Sequence, residues 1–191
     1  MSDKNYYDDQ SFEQDDLKNH RFIGNEYDSC TFHNCDLSEL PLSNAIFTSC
    51  SFENCNLSLA KLTGTSFQEV TFSNCKLLGL QFEQCNGFNL RIAFSDSILN
   101  HCTFTNLKIR KTRFVRCQLQ EADFSGTDLF ESVFDECDLL RANFQRTNLI
   151  RADFSTSQNI QLHPEQNRLT KAKFSLNSLP GLLSAYQIDV V

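Results

Sequence analysis

The sequence predicts an all-β solenoid, a chain wound into successive coils around one continuous core. Three observations carry that reading. From Phe94 to Phe154 a large apolar residue stands at every fifth position, running Phe94, Leu99, Phe104, Ile109, Phe114 and on to Leu149 and Phe154. The residue two places before these centres is almost always small or apolar, as in Cys102, Ala122, Cys137, Ala142 and Ala152. Phenylalanine alternates strictly with Leu or Ile along the run.

A five-residue period suits neither ordinary element. Helical steps of about 100° would scatter the centres around the axis, and strand alternation would send successive centres to opposite faces. The chain must therefore turn once per repeat, each repeat being a short extended side followed by a corner, with the centre and its small partner inward. The strict alternation of Phe with Leu or Ile calls for an even number of sides.

The segments ADFSG (122–126), RANFQ (141–145) and RADFS (151–155) closely resemble the A(D/N)LXX signature of the pentapeptide-repeat family. That resemblance implies a right-handed, four-sided parallel β-helix with twenty residues per coil. Phe104, Phe124 and Phe144 then stack, as do Phe114, Phe134 and Phe154, while Leu119 and Leu139 fill a side between them. At ordinary strand spacing the rod has about seven or eight coils and is roughly 35–40 Å long.

With 191 residues, 40% hydrophobic and 21% charged, the chain suits one domain with a continuous core. No apolar run is long enough to span a bilayer, and the start, MSDKNYYDDQ, lacks the features of a signal peptide. The expected compartment is the cytoplasm. All nine cysteines, from Cys30 to Cys137, fall two before a centre position, so packing explains them. Cys35, Cys55 and Cys75 would lie on one side of successive coils, about 4.8 Å apart. In-register residues point their Cβ atoms the same way, leaving a wider separation than the roughly 3.8 Å a disulfide prefers. Buried reduced thiols are the favoured reading over disulfides or zinc, and no CxxC pair occurs.

The net charge of −7 disfavours direct binding to nucleic acid. Residues 1–95 carry 13 acids and 6 bases, whereas residues 96–191 carry 11 of each, so the amino-terminal half holds the whole excess. Lys108, Arg110, Lys111, Arg113 and Arg116 crowd one stretch, and as outward positions of a repeated scaffold they read as a solvated face rather than a nucleic-acid patch.

In chain order, residues 1–11 are polar, lack a repeat of their own and read as a cap over the first strand edge or a frayed tail. The repeat region spans 12–175. Its first inward partners, Asp15, His20 and Asn25, are polar, which makes the opening coil the least stable. At 83–93 the rhythm slips by two residues. Two steps of six through Phe88 keep Phe82, Phe88 and Phe94 inward, with Gly87 supplying backbone freedom for a bulge. Either a tolerated irregularity or a partner-contacting loop fits this segment. The coil at 155–170 is distorted near His163 and Pro164, but Phe174 stands twenty residues after Phe154. Residues 176–191 differ in kind. Ser178 can cap and Pro180 suits a first turn of a short helix of two turns or so with an apolar face, and QIDVV reads as a short strand.

No nucleophile and base pairing, phosphate loop or metal-ligand spacing is visible, so an interaction protein is the expected class, without enzyme activity, cofactor or metal. An acidic chain of this size ending in an apolar helix and a short strand is similar in plan to the Qnr and MfpA type of pentapeptide-repeat protein. The resemblance implies a bacterial homodimer joined through its carboxy-terminal elements, with a DNA-like surface that acts on DNA gyrase or topoisomerase IV and in some members protects it from quinolones or toxins. The long projecting loops of some Qnr proteins are missing here. Aspartates just before a centre, such as Asp123, Asp128, Asp138 and Asp153, match the repeat signature. Glu53, Glu69, Glu83, Glu131, Asp135 and Glu136 do not, and they are the candidate partner-binding carboxylates. The candidate dimer residues are Leu179, Leu182, Leu183, Tyr186, Ile188 and Val190. A generic protein-binding scaffold unrelated to topoisomerases stands as the alternative.

Overall fold

In the computed structural model, which describes residues 4–186 and 188, the chain forms a parallel β-solenoid of about eight turns. Thirteen short strands build it: β1 (Tyr6–Asp8), β2 (Ser11–Phe12), β3 (Glu26–Asp28), β4 (Thr31–His33), β5 (Ile46–Thr48), β6 (Ser51–Glu53), β7 (Ser66–Gln68), β8 (Val70–Ser73), β9 (Ile92–Ser95), β10 (Arg113–Val115), β11 (Val133–Asp135), β12 (Asp153–Phe154) and β13 (Lys173–Phe174). One sheet runs β1-β3-β5-β7 and a second carries the other nine from β2 to β13, all parallel. Partners lie twenty residues apart, as in Phe32 against Phe52 and Phe114 against Phe134.

Each coil has four sides. The first side stacks Phe12, Phe32, Phe52, Phe72, Phe94, Phe114, Phe134, Phe154 and Phe174 in one unbroken column with centroids 4.6–5.4 Å apart. The second side is filled by leucines from Leu17 to Leu139, nearly all fully buried. A second aromatic column changes side midway. In the early coils it is Tyr7, Tyr27, Phe47 and Phe67 on the fourth side, next to the first. From Phe82 onward it is Phe82, Phe104, Phe124 and Phe144 on the third side, opposite the first.

What turns the chain at most corners is a left-handed residue two places after the centre. Asn34, Asn54 and Asn74 hold φ of 54°, 54° and 53° on one side, and Glu121 and Arg141 hold 57° and 59° on another. Asn tolerates this region because its short polar side chain bonds locally. The signature aspartates also shape the corners. Asp123 and Asp153 accept the N–H of Ser125 and Ser155 two residues on, at 2.8 and 3.0 Å, closing the turn.

The small inward partner is more than a spacer. Cys55 Sγ donates to the Phe32 carbonyl at 3.3 Å and Cys75 Sγ to that of Phe52 at 3.3 Å. Thr127 and Thr147 do the same with Phe104 and Phe124, at 2.7 and 2.9 Å. A small donor thus satisfies a buried carbonyl of the coil before. The nine cysteines are free thiols, all buried. Burial pushes the thiols of Cys50 and Cys102 up to about 12 from an ordinary 9.0. The folded state therefore keeps these protons longer than the unfolded chain. Their contribution is fully present below about pH 9 and is lost as pH rises toward 12. Urea midpoints should fall across that window, and a thiol reagent at pH 8 should label the native protein no faster than it unfolds. Rapid stoichiometric labelling without unfolding would contradict this packing.

Five sequence expectations are corrected. Residues 1–11 do carry a repeat: Tyr7 pairs with Tyr27 and stacks on it at 5.1 Å. Two places before Tyr7 stands polar, exposed Asn5, which hides the period; the Asn5 N–H is taken by Asn25 Oδ1 at 3.0 Å. Asp15 is exposed, because Gln14–Leu17 forms a 3-10 turn that carries it outward to Lys18. His20, by contrast, is half-buried among Tyr7, Phe12 and Phe22 and bonds Tyr27 Oη at 2.7 Å. Phe88 points to solvent, 72% exposed, so the extra residues leave the core instead of filling it. The left-handed residue of that segment is Asn89, φ 54°, and Gly87 is not in the left-handed region. Ser178 does not cap α1 (Leu179–Leu183); its hydroxyl meets that of Ser175 at 2.8 Å.

Short 3-10 turns flank α1 at Leu176–Ser178 and Ser184–Tyr186. The expected terminal strand, including Val190, lies outside the described residues apart from Ile188. No helix among the described residues is long and apolar enough to cross a membrane.

Candidate functional site

The insertion divides the outer surface as well as the core. On the first side β9 follows β8 with a register of 22 residues, Phe72 against Phe94, and the sheet continues. On the fourth side the sheet stops at β7. The segment 86–91 leaves the ladder there, anchored by Asn86 N–H to the Thr65 carbonyl and Arg91 N–H to the Phe67 carbonyl.

Beyond the insertion, charges at the corners form ion-pair ladders between coils. Glu131 lies between Lys111 at 3.7 Å and Arg151 at 2.7 Å, and Arg151 holds its carboxyl below the ordinary range. Glu121 lies between His101 at 3.3 Å and Arg141 at 3.4 Å. Arg116 grips Asp96 with two bonds of 2.6 and 2.8 Å. Exposed pairs of this kind add little stability, about 0–1 kcal/mol. Their consequence is a carboxyl-terminal half with locally balanced charge.

The six candidate carboxylates do not form one surface. Glu53 and Asp135 project from the first side, on β6 and β11. Glu136 takes the following corner, its N–H bonded to Thr156 Oγ1, which itself donates to Asp135. Glu69 and Glu131 occupy fourth-side corners and are paired with arginines, Glu69 with Arg91 at 2.8 Å. Glu83 lies on the third side and accepts from Thr103 Oγ1 at 2.5 Å. Glu53 keeps only His33 nearby, at 3.6 Å.

Sequence reasoning missed a tighter acidic face on the fourth side of the first coils. Asp8 and Asp28 are direct neighbours in the ladder, with Asp9 at the corner and Tyr6 and Glu26 beside them. Glu26 is paired with Lys4. The Tyr6 hydroxyl, on an exposed ring, is pushed up by partial desolvation and then by Asp8, Asp28 and Glu26. Like charges directly opposite are unfavourable in a sheet, so this pair costs folding stability. The signal is present in the chain, a spacing of twenty between Asp8 and Asp28, but it vanishes when residues 1–11 are taken to lack a repeat.

A groove lies farther along the same side. Arg91, Lys108, Arg110 and Lys111 line it, three of them paired with carboxylates beside it, Arg91 with Glu69 at 2.8 Å, Arg110 with Asp128 at 2.6 Å and Lys111 with Glu131 at 3.7 Å, and Leu90, Ile92 and Thr112 form its floor. It exists because the insertion vacates the ladder. The amides of Asp128, Asn148 and Arg168 each donate to the coil before, whereas the Lys108 amide, first after the break, has no such bond. At the chain's end Leu176, Leu179 and Tyr186 are exposed, Leu182 packs partly on the core, Leu183 is half-buried and Ile188 is 56% exposed.

The family model for the pentapeptide repeat region matches residues 25–93 and 80–154. Two trypsin-treated variants of QnrB1, a plasmid-mediated fluoroquinolone resistance protein, share the fold. Each has TM-score 0.63; they are 18% and 17% identical, over 98% of this chain and 98% and 99% of theirs. HetL, a pentapeptide repeat protein involved in heterocyst differentiation regulation in the cyanobacterium Nostoc, aligns at 16% identity over 91% of this chain and 87% of its own, with TM-score 0.36. No curated protein matches the sequence. With the matched segments covering well over half of the chain, it belongs to the pentapeptide-repeat family.

Proposed function

We propose that this protein is a non-enzymatic, DNA-mimicking interaction protein that binds a type II topoisomerase, DNA gyrase or topoisomerase IV, and modulates or protects it against quinolones. The observation that carries the reading is the acidic fourth side of the first coils. Asp8 and Asp28 are stacked in register at about 4.8 Å. A DNA strand presents one charge per about 3.4 Å of rise. A basic DNA channel would offset the repulsion that this pair brings to the free protein. The likeness to QnrB1 in fold supports the topoisomerase as partner, and the balanced charge beyond the insertion favours the amino-terminal end as the seat of the mimicry. Glu53 extends the same acidic half on the neighbouring side.

Binding of this kind is quickened by electrostatic steering and weakened as salt screens exposed charge beyond about 8–10 Å. Purified protein should compete with DNA for gyrase and reduce quinolone-stabilised cleavage at low salt. The double substitution Asp8→Asn, Asp28→Asn should weaken both effects about tenfold without lowering thermal stability. Unchanged supercoiling and cleavage at large molar excess and low salt would leave the general scaffold reading in place of this one.

We further propose that the protein is a homodimer through its carboxy-terminal segment. The last strand, β13, is a sheet edge, Phe174 is only half-buried at the end of its column, and Leu176, Leu179, Tyr186 and Ile188 are exposed beside it. A second copy covers edge and apolar patch together. The full chain should sediment as a dimer at micromolar concentration and at high salt, and Leu176→Glu with Leu179→Glu should give monomers. A monomeric wild-type chain would end the proposal.

A further inference from the structure

We propose that Asn86 is a site of spontaneous covalent modification, where the chain deamidates through a succinimide and so adds a negative charge to the fourth side with time. Asn86 and Gly87 form the one Asn-Gly pair in the sequence, and they stand where the chain leaves the ladder. The reaction needs the backbone nitrogen after an asparagine to reach that asparagine's side-chain carbonyl carbon. It therefore needs an exposed peptide, an N–H that no acceptor holds, and a following residue that does not crowd the attack.

Each requirement is met here. Asn86, Gly87 and Phe88 are all exposed. The Gly87 N–H has no acceptor among the described residues, and a Cβ placed on Gly87 would meet nothing within 4 Å. The Phe88 N–H donates to Asn86 Oδ1 at 3.0 Å, a turn that folds the side chain back over the intervening Gly87 peptide. That bond also favours the chemistry. Negative charge develops on Oδ1 as the nitrogen adds, and a backbone N–H already directed at it stabilises that charge. Asparagines of the regular coils are held differently. The nitrogens after Asn44, Asn56 and Asn100 are engaged, Ala45 N–H with the Leu42 carbonyl at 3.0 Å, Leu57 N–H with that of Lys76 at 2.8 Å and His101 N–H with that of Gln120 at 2.9 Å.

The step balances without an oxidant or cofactor. Gly87 N gives its proton to hydroxide and bonds to Asn86 Cγ; the Cγ–Nδ2 bond breaks, and the amide nitrogen leaves as ammonia after taking a proton from water. Water then opens the succinimide ring at one carbonyl or the other, leaving aspartate or the isomer whose main chain runs through Cγ. Either product carries a carboxylate where Asn86 was neutral.

The place of that charge gives the modification its consequence. Asn86 N–H bonds to the Thr65 carbonyl as Ser66 N–H bonds to that of Ala45, so Asn86 follows Ser66 in the outward column of the fourth side, and Lys108 comes next. Lys108 is the groove cation without an ion pair among the described residues. A carboxylate at position 86 offers it a counter-charge one coil away and makes the net charge of −7 more negative by one. The inference is independent of the topoisomerase reading.

The test keeps native full-length protein at mildly alkaline pH for days, then digests it with trypsin for mass spectrometry of residues 77–91, the peptide between Lys76 and Arg91 that also holds Asn89. Oxygen should replace NH at Asn86 and not at Asn89, which is followed by the buried Leu90. The rate should rise with pH, because the Gly87 nitrogen must first lose its proton, and isoaspartate methyltransferase should label the product. Since the turn already gathers the reacting groups, the folded protein should react at least as fast as the free peptide of residues 77–91. On anion exchange the aged protein should split, its new peak eluting with Asn86→Asp. Gly87→Ala, whose Cβ enters open space outside the left-handed region, should keep the fold by circular dichroism and slow the reaction about tenfold by crowding the nitrogen. Native protein whose Asn86 stays intact or reacts more slowly than the free peptide, equal modification at Asn89, or a Gly87→Ala protein that reacts as fast as wild type would each overturn the proposal.

Discussion

Phe124→Ala is expected to destabilise the protein by about 3–5 kcal/mol, the range for truncating a fully buried aromatic residue. Its ring is stacked between Phe104 and Phe144 at 4.9 and 5.1 Å and meets the edges of Phe114 and Phe134 at 5.8 Å each. Four rings therefore lose a partner at once. The coil cannot shrink to close the cavity, because its sides are tied to the coils above and below by the Phe104 N–H to Asp123 carbonyl bond and the Phe124 N–H to Asn143 carbonyl bond, both 2.8 Å. A chain of this size loses about 2–4 °C of melting temperature per kcal/mol, so the melt should drop by roughly 10 °C. A loss below about 1 kcal/mol would mean that the column contributes far less than its burial implies. Because each coil touches only its neighbours, the same change in Phe12, at the end of its column, should cost less.

The contrast between these positions shows what is legible in the chain. A period of five with Phe and Leu alternating is sufficient to place Phe104, Phe124 and Phe144 in one column and Phe114, Phe134 and Phe154 in another, because the core admits no other register. The period fails where a side chain's neighbours, rather than its spacing, decide its direction. Phe88 fits a stretched rhythm as well as any centre, yet the vacated ladder position sends it outward. Tyr7 resembles part of a polar tail because Asn5 stands where a small residue is expected, and only the ring of Tyr27 on the next coil reveals its role. The candidate surface is less legible than the core for a related reason. Whether an outward carboxylate is free depends on the residue twenty positions away. Glu131 is quenched by Lys111 and Arg151, Glu69 by Arg91, while Asp8 has Asp28. Acidic residues read singly cannot show that.

Gly181→Ala should dislodge α1, and two physical arguments predict opposite signs for it. By helix propensity the change is favourable, since alanine in a helix interior is better than glycine by about 0.8–1 kcal/mol, and Gly181 does not occupy the left-handed region. By contact it is severe. An added Cβ would overlap the Ile160 carbonyl oxygen and stand 3.1 Å from the Ile160 carbonyl carbon, so it meets backbone and not a side chain that could rotate away. Ile160 is buried in the last coil and Leu182 packs partly on the same core, so neither surface can retreat cheaply. Overpacking against a fixed neighbour costs about 1–3 kcal/mol and exceeds the propensity gain. The expected result is a helix that no longer docks: lower melting temperature, rapid chymotryptic cleavage within Leu179–Tyr186, and loss of the proposed carboxy-terminal dimer. Ser184→Ala, which removes only the exposed hydroxyl bond to the Gly181 carbonyl at 2.9 Å, should change none of these. A Gly181→Ala protein that melts higher than wild type and remains a protease-resistant dimer would show that propensity governs the site, and that the close approach of helix to coil is not what holds the carboxy-terminal segment in place.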